Sequence, residues 1–530
     1  MNSLKHRILA FPNVLSALFF VAALVQVSNH IMWRDEIRTW QVAHQATGLI
    51  SLWDLMRYEG VPVLWYWIVF VLTRLTDNPF IMQFVHVLIA TAVIYVVARW
   101  APFSRLNKTL FSLGYFPFFE YAAITRNYSL VFLLVVIACA LISQPRVRWV
   151  ALAIVLFLMS QVSIWGAGFS GLLLIVAALK EWIEPPEHRP SIALLACMAA
   201  VVGIGFVLCI VEVLPGPGPS FTDSWRAYLP SQRVFLSLGV VYRAWIPLPM
   251  PGPQFWNTNI LDIRPDFMEG PAIQALIAVV LFVSVTLSLA RRPLAAFWLW
   301  AATGALVGFT YLKFKGFARH EGMIFVVLIA AMWVGTTGPR WAIRSKALDL
   351  LERWRPVILG SLLAIGAIAG VSCALAGLVM PFSATRAVAD FIVKEKLDQQ
   401  AVLAAYTDYC AAPISQDLNK PFYSIQMHKE VRYNTQNDHE RDNFGGVLRV
   451  EYLLAMMHQL IQERGTPVLL MLNSGMAISF PDPVIGFQMS PEQPVQYLHI
   501  VEITRPEFEQ GIVRDENHKL YLVHIAAVTQ

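Results

Sequence analysis

The composition of this 530-residue chain is that of a membrane protein. Hydrophobic residues make up 57% of the sequence and charged residues only 14%, whereas soluble globular chains contain about 45–50% apolar residues. The net charge of +5 gives no support to a nucleic-acid partner, because the basic residues gather between apolar runs, as they do in membrane proteins. The five cysteines include no CxxC pair, so the sequence predicts neither a disulfide framework nor a zinc site.

Eleven apolar stretches are long enough to cross a bilayer, which takes roughly 17–25 residues. They lie at about 9–28, 80–98, 109–124, 127–143, 149–164, 167–183, 191–213, 271–289, 294–311, 321–338 and 357–379. The first follows Lys5, His6 and Arg7, as the core of a signal peptide would. No small-residue cleavage site stands out after it, so we predict a retained first span.

The distribution of Lys and Arg predicts the orientation of these spans. A further apolar piece, 61–75, is short for a span, and we expect it to stay on the outer side. With a cytoplasmic N-terminus, the basic clusters between later spans then face the cytoplasm with one exception, and the C-terminus is extracytoplasmic. This is the topology of a multi-pass protein of the plasma (inner) membrane. One basic loop, YLKFKGFARHEG (311–322), falls on the outer side against the rule, and an anionic ligand would explain it.

The first outer loop begins with NHIMWRDEIRTWQVAH (29–44), which carries the adjacent acids Asp35 and Glu36. Apolar residues at helical spacing predict two amphipathic helices lying flat on the membrane, with Asp35 in the first turn of the first. The residues that share one face are Trp33, Ile37, Trp40 and His44 in the first helix and Leu49, Leu52, Trp53 and Met56 in the second. An acid at a helix start is also common for structural reasons alone, since it interacts favourably with the helix dipole.

Residues 381–530 alternate apolar runs with helical patterns, which predicts a separate extracytoplasmic α/β domain after a membrane domain of residues 1–380. At about 150 residues this domain can bury its own core. The large outer loop 214–270 is rich in Pro and Gly and contains one predicted helix, Ser231–Trp245.

The polar groups that stand out in the membrane half are all predicted on the outer face. Besides the acids, they are Tyr58, Glu59, Arg126, Tyr128, Lys313, Lys315, Arg319 and His320. Each also has an ordinary explanation as an interfacial cation, an aromatic anchor or a loop residue. Together, an acid beside lipid and several cations fit group transfer from a lipid phosphate. The cations would stabilise the leaving phosphate and the carboxylate would act as general base.

These segments resemble the GT-C-fold, polyprenyl-phosphate-dependent glycosyltransferases, in particular the bacterial branch related to protein O-mannosyltransferases and lipid A aminoarabinose transferase. The similar segments are MWRDEIRTWQVA, RYEGVPVLWYWI, ITRNYSL, ARHEGMIF and the C-terminal SATRAVADFI and KPFYSI. Residues 1–140 carry most of the resemblance. Glu59-Gly60-Val61-Pro62 replaces the His-Pro-Pro-Leu element of many members, and Ile37 replaces a small residue after the acidic pair.

The resemblance implies inverting transfer of a sugar from a polyprenyl-phosphate donor to a glycan, lipid or protein acceptor at the outer face. Asp35 would be the general base that activates the acceptor, with Glu36 beside it, and Arg126 and Tyr128 would be donor-site residues. From the residues, we assign Arg319, Lys313, Lys315 and His320 to the donor phosphate as well. Glu59 and Tyr58 would contact sugar or acceptor. We predict no obligatory metal or other cofactor, because the two acids lack an obvious third ligand.

Two other classes of function remain open at the level of sequence. A transporter or flippase for lipid-linked saccharides would carry charges or helix breaks near the middle of its spans, whereas here the charges gather at one face. A receptor or scaffold would use the C-terminal domain, which shows no Gly-rich phosphate loop and no metal-ligand cluster. Both alternatives are less well supported than the enzyme.

Overall fold

The computed structural model describes residues 10–56, 59–183, 189–214, 233–262, 269–314, 316–343, 345–433, 450–476, 478, 480, 482–488 and 494–526. The chain divides into two compact units. Of the described residues, those within 10–28, 47–214 and 233–376 form the membrane unit, and those within 29–46 and 377–526 form the second unit. The division predicted from the sequence lies at 380/381 and leaves residues 29–46 in the membrane domain, so the structure differs from the prediction mainly in this one segment.

Helices make up the membrane unit. After α1 (Phe11–Asn29) and α2 (Arg34–Gln45, in the second unit) come α3 (Leu49–Met56), α4 (Leu64–Thr73), α5 (Phe80–Trp100), α6 (Arg105–Ser112), α7 (Tyr128–Ile142), α8 (Trp149–Ser160), α9 (Ile164–Ile183), α10 (Ile192–Val213), α11 (Arg233–Trp245), α12 (Glu269–Ser288), α13 (Pro293–Leu312), α14 (Ala318–Thr337) and α15 (Lys346–Val379). In the described part of the chain, eight of these helices are long and apolar enough to cross a membrane. The protein is therefore a polytopic α-helical membrane protein.

The predicted spans agree with these helices at most positions. Shorter apolar helices occupy the predicted spans at 127–143 and 149–164, and α4 occupies the apolar piece at 61–75. The outer-loop helix predicted at Ser231–Trp245 corresponds to α11 within the described residues. Which side of the membrane each terminus occupies stays a prediction.

The predicted span at 109–124 is wrong as a single helix. α6 ends at Ser112, and a π-helix follows at Tyr115–Glu120 before an irregular stretch leads to α7. Pro117 lies in this π-helix and has no N–H to donate to a regular α-helical ladder. Gly370 of α15 allows close packing here, because a Cβ at this position would lie 2.3 Å from the carbonyl oxygen of Leu113.

Helix α14 is the central helix of the membrane unit, since it is buried from its second turn almost to its end. It packs on α7, α11, α13 and the π-helix. Gly322 permits the approach to the π-helix, because a Cβ there would lie 2.3 Å from the Tyr121 hydroxyl and 2.4 Å from a ring carbon of Phe116. The start of α14 is thereby fixed against the segment that precedes α7.

Basic residues from two loops and from α15 meet around one carboxylate of α15 at one end of the membrane unit. Glu352 lies 3.4 Å from Arg291, 3.3 Å from Arg292 and 2.7 Å from Arg340 (nitrogen to oxygen). Arg355 lies 4.0 Å from the same side chain. The sequence analysis assigns these arginines to one side of the membrane, and the structure places them together.

The second unit is an α/β domain, as the sequence predicts. Its helices are α16 (Thr385–Lys394), α17 (Leu397–Gln400), α18 (Asp408–Leu418) and α19 (Val450–Arg464), and its strands are β1 (Val402–Ala405), β2 (Phe422–Ser424), β3 (Lys429–Val431), β4 (Val468–Asn473), β5 (Val484–Phe487), β6 (Gln496–Glu502) and β7 (His518–Ile525). The seven strands form one mixed sheet in the order β3-β2-β1-β4-β7-β6-β5. The pairs β1–β2 and β1–β4 are parallel, and the other four pairs between the described strands are antiparallel.

A hydrophobic core lies on each face of this sheet. One core packs α19 on the sheet through residues such as Leu453, Met457 and Leu460. The other core joins α16 and α18 to the opposite face through Ile392, Ile414 and their neighbours. Alternate residues of the central strands β4 and β7 supply both cores, so these strands are buried on both faces.

Helix α2 packs on α18 and belongs to this second unit. The amide of Gln41 donates to the carbonyl oxygens of Ala412 (3.1 Å) and Arg432 (3.2 Å). At the other end of the segment, the His30 ring lies 4.5 Å from the ring of Phe382. The helix that carries the acidic pair is therefore anchored at both ends to the C-terminal domain.

Candidate functional site

The membrane unit brings together four of the predicted donor-site residues: Arg126, Tyr128, Arg319 and His320. The rings of Tyr128 and His320 meet edge to face, with centroids 5.6 Å apart. Arg126 and Arg319 both lie within electrostatic range of His320. Residues nearly 200 positions apart in the chain thus form one basic cluster.

Hydrogen bonds to His86 of α5 hold the irregular segment that carries Arg126. The two ring nitrogens of His86 lie 3.3 Å from the carbonyl oxygen of Ala122 and 2.9 Å from that of Arg126. The side-chain amide of Asn127 donates to the carbonyl oxygen of Val162 at 2.7 Å. These contacts replace the backbone hydrogen bonds that a continuous helix would make, and they fix the main chain at Arg126.

Arg319 lies in the first turn of α14, where its side chain is largely buried. The Tyr121 hydroxyl donates to the Arg319 carbonyl oxygen at 2.7 Å, and the guanidinium carbon lies 4.9 Å from the centre of the Phe317 ring. Nδ1 of His320 accepts a hydrogen bond from the Phe317 N–H at 3.0 Å. A neutral His320 ring therefore carries its proton on Nε2.

The cluster lies at a helix N-terminus, a position that favours anions. The unpaired N–H groups at the start of a helix bear partial positive charge, and they are the usual partners of bound phosphates. One of them, the N–H of Ala318, donates to the side-chain oxygen of Asn257 at 3.2 Å. Two guanidinium groups beside such a terminus suit a ligand with a phosphate group.

A small pocket adjoins this cluster, with room for about one water molecule between the side chains that line it. Its polar lining comes from His320, Glu321 and Thr310. Its apolar lining comes from Trp165, Val240, Leu306, Phe314 and Ile324, with Gly316 beside them. Apolar side chains of this pocket thus lie next to the basic cluster, and a ligand with a charged part and an apolar part needs both kinds of surroundings.

Sequence reasoning missed a buried carboxylate in the same region, Glu120. One of its oxygens accepts hydrogen bonds from the Tyr115 hydroxyl and from the Trp256 indole N–H, each at 3.0 Å. Arg319 lies within electrostatic range of Glu120. The available signal was an acid inside a predicted apolar span, which marks a functional candidate in membrane proteins.

A second residue that the sequence analysis did not single out, Arg243, holds the start of α14. Its Nε lies 2.9 Å and 3.0 Å from the two carboxylate oxygens of Glu321, and one terminal nitrogen lies 2.9 Å and 2.7 Å from those of Asp262. The other terminal nitrogen donates to the carbonyl oxygen of Asn257 at 3.2 Å. Arg243 thus ties α11, the loop after it and α14 together beside the basic cluster.

Two more of the predicted residues of the membrane unit, Lys313 and Glu59, make local contacts. Lys313 follows directly after α13, where its N–H donates to the carbonyl oxygen of Phe309 at 2.8 Å. Glu59 accepts a hydrogen bond from the Tyr66 hydroxyl at 2.9 Å, which ties the loop before α4 to that helix. Tyr58 and Lys315 lie outside the described residues.

Asp35 and Glu36 lie in the first turn of α2, as predicted. One oxygen of Glu36 lies 2.8 Å from Nε2 of His30 and accepts the Trp33 N–H at 3.1 Å. An acid that reaches back to the start of its own helix is a common helix cap. The contacts of Glu36 are therefore those of a structural residue, and a catalytic role for it stays a prediction.

Glu516 of the C-terminal domain is the other carboxylate at the start of α2. Its Oε1 accepts the backbone N–H of Arg34 at 2.6 Å. Burial raises the pKa of Glu516 to about 7; the Arg34 charge opposes this effect, and the nearby Asp35 adds to it. Burial also raises the pKa of the neighbouring Cys410 thiol to about 12, so this cysteine is not an activated nucleophile.

Among the residues that the structure describes, no group of three or more His, Cys, Asp or Glu side chains is arranged to hold a metal ion. The acids that do cluster are paired with arginines, as in the contacts of Arg243. The metal independence expected from the sequence stays a prediction.

No protein-family model and no curated protein sequence matches the chain. Among solved structures, the chain is similar to the crystal structure of ArnT from Cupriavidus metallidurans bound to undecaprenyl phosphate. The identity is 13%, the TM-score is 0.49, and the similarity covers 98% of each chain. At this identity and TM-score the similarity does not define a function.

Proposed function

We propose that the protein is a glycosyltransferase that takes a sugar from a polyprenyl-phosphate donor and transfers it to an acceptor at the outer face of the membrane. The observation that carries this proposal is the basic cluster of Arg126, Arg319 and His320 at the N-terminus of α14, next to a mostly apolar pocket. A lipid phosphate combines the charge and the apolar chain that such a site requires.

The cations have a clear chemical task in this proposal. As the bond between sugar and phosphate breaks, negative charge grows on the leaving phosphate, and fixed guanidinium groups stabilise that charge. Hydrogen bonds to their carbonyl oxygens hold the main chain of Arg126 and of Arg319 in place, and both guanidinium groups would start from these fixed points. Tyr128 would contribute an aromatic wall to the donor site, beside His320.

Asp35 is the proposed general base. It would accept the proton of the acceptor hydroxyl, whose oxygen attacks the anomeric carbon as the phosphate leaves, and the configuration of the sugar inverts. Glu36 would support the start of α2 through its contacts with His30 and Trp33. Glu59 and Tyr58 are proposed to contact sugar or acceptor hydroxyls, and Lys313 and Lys315 to add positive charge for the donor.

The test uses purified protein in lipid nanodiscs, a panel of radiolabelled polyprenyl-phosphate sugars and a mixture of envelope glycolipids as acceptors. We expect the wild-type protein to release free polyprenyl phosphate, which a flippase does not do. Asp35→Asn should abolish the release while the variant still binds polyprenyl phosphate. Arg126→Gln should weaken binding of polyprenyl phosphate, measured by native mass spectrometry.

Arg74→Gln is the matched control, because Arg74 is an exposed cation that follows α4. It should leave both binding and release unchanged. Full turnover by the Asp35→Asn variant would refute the role of the acid. Equal lipid affinity of the Arg126→Gln, Arg74→Gln and wild-type proteins would refute the donor site.

A further inference from the structure

Helix α2 carries the proposed general base, yet its described contacts anchor it to the C-terminal domain. Three sets of contacts join the segment to that domain: Phe382 at His30, the 515–516 turn at Arg34, and, at Gln41, the carbonyl oxygens of Ala412 in α18 and of Arg432 after β3. The contact of the turn lies directly beside Asp35. It therefore sets the local position of the acid more directly than the other two.

The backbone contact at this point is short and buried. Glu516 is fully buried, and its Oε1 receives the N–H of Arg34, the first residue of α2, at 2.6 Å. This N–H is one of the four that a helix start leaves without an internal partner. A carboxylate in this position also interacts favourably with the helix dipole. Glu516 thus fixes both the starting point and the direction of the first turn.

The side chain of Arg34 reinforces the contact from the other side. Its guanidinium group lies 3.2 Å from Asp515 and packs on two rings, 4.9 Å from the centre of Tyr409 and 5.2 Å from that of Trp33. The Asp515 carboxylate is mostly exposed, so this ion pair contributes little by itself. The backbone hydrogen bond to Glu516 is the stronger element of the contact, since it is short and buried.

We propose that Glu516 is a positioning residue for the reaction: its hydrogen bond to the Arg34 N–H orients the first turn of α2 and thereby places the Asp35 carboxylate. This inference rests on the proposed role of Asp35 as general base. It gives the C-terminal domain a part in turnover, because the domain supplies the residue that orients the acid. A general base acts only within hydrogen-bond distance of the proton it removes, and a misplacement of 1 Å costs about 10²-fold in rate.

The experiment compares two substitutions at one position. Arg34→Ala and Arg34→Pro both remove the guanidinium group, but only proline removes the N–H that Glu516 accepts. Proline is tolerated at the first position of a helix, and Trp33 before it already has the extended conformation that proline requires (φ −86°, ψ 173°). We expect kcat of Arg34→Pro to fall roughly 10²-fold below that of Arg34→Ala, with unchanged affinity for polyprenyl phosphate.

A second pair of variants changes the acceptor of the hydrogen bond. Glu516→Gln keeps an oxygen for the Arg34 N–H and should retain most of kcat, whereas Glu516→Ala should lose it. This rescue by the conservative variant distinguishes positioning from a need for the negative charge. Asp515→Asn is the control for the exposed ion pair and should leave kcat within about twofold of wild type.

The Asp35 and Arg34 variants distinguish a wrong role for Glu516 from a wrong role for Asp35. If Asp35→Asn is inactive while Arg34→Pro and Arg34→Ala turn over equally, the positioning role of Glu516 is refuted and the role of Asp35 stands. If Asp35→Asn is fully active, both are refuted. Should Glu516→Ala fail to fold, the two Arg34 variants decide alone.

Discussion

Two buried groups close together in the 514–518 region should make the stability of the C-terminal domain depend on pH in opposite directions. Burial raises the pKa of Glu516 to about 7 from 4.5, and burial lowers the pKa of His518 to about 4 from 6.5. Below its folded pKa, buried Glu516 stays protonated while the unfolded chain ionises. As the pH rises from about 4.5 to about 7, this group therefore removes stability from the folded domain.

His518 changes the stability of the folded domain with pH in the opposite direction. It stays neutral in the folded domain down to about pH 4, whereas the unfolded chain takes up its proton below about pH 6.5. Stability from this group is therefore lost as the pH falls from about 6.5 to 4. Each difference corresponds to roughly 3 kcal/mol, at 1.36 kcal/mol per pH unit. Between about pH 4.5 and 6.5 the two contributions nearly cancel.

Single substitutions should reveal each contribution. Glu516→Gln should make the domain more stable as the pH rises from about 4.5 to 6.5, and His518→Gln should make it less stable over the same range, each by roughly 2–3 kcal/mol. The measurement is hydrogen exchange of the β4 and β7 amides in the full-length protein, corrected for the pH dependence of intrinsic exchange. The reasoning fails if Glu516→Gln leaves the pH dependence of wild type unchanged.

Three further predictions concern the membrane unit. Arg243→Met should lower the free energy of unfolding of the membrane unit by about 3–5 kcal/mol, because Glu321 loses a buried partner. The measurement is a denaturation assay in detergent. In the same assay, the double variant Arg243→Met/Glu321→Leu should recover part of this loss. Gly322→Ala should cost about 1–3 kcal/mol in the same assay because its Cβ has no room, whereas Gly308→Ala, with nothing within 4 Å, should be neutral. Glu120→Gln keeps an acceptor for its two hydrogen bonds but removes a negative charge near the phosphate-binding cations. It should therefore raise the affinity for polyprenyl phosphate up to about tenfold, or ~1.4 kcal/mol, in a lipid-binding titration.

The sequence predicted the spans and the α/β domain because long apolar runs and alternating patterns are local signals. It also predicted that Arg126, Tyr128, Arg319 and His320 belong together, since the distribution of basic residues placed all of them on one face. The predicted span at 109–124 failed because apolar composition indicates membrane depth but does not reveal a change from α-helix to π-helix.

The missed residues depend on contacts between distant segments. The partners of Arg243 lie 19 and 78 residues away, and the Arg34 N–H meets a carboxylate 482 residues further along the chain. Nothing in the local pattern around Glu516 distinguishes it from a surface acid. The attachment of α2 to the C-terminal domain has the same origin, because an amphipathic helix shows which face is apolar but not what covers it.

The break between α6 and α7 constrains how the protein is built into the bilayer. Peptide groups outside regular helices cannot be exposed to hydrocarbon, because their N–H and C=O groups would lack hydrogen-bond partners. The stretch between Ser112 and Tyr128 therefore needs other helices to separate it from the lipid. One of these neighbours, α14, contributes the Arg319 carbonyl oxygen that Tyr121 contacts across 198 residues of sequence. We therefore expect this stretch to enter the hydrocarbon core only after α14 has been synthesised and can cover it. Assembly of the helices that surround the proposed donor site is consequently a late event in biogenesis.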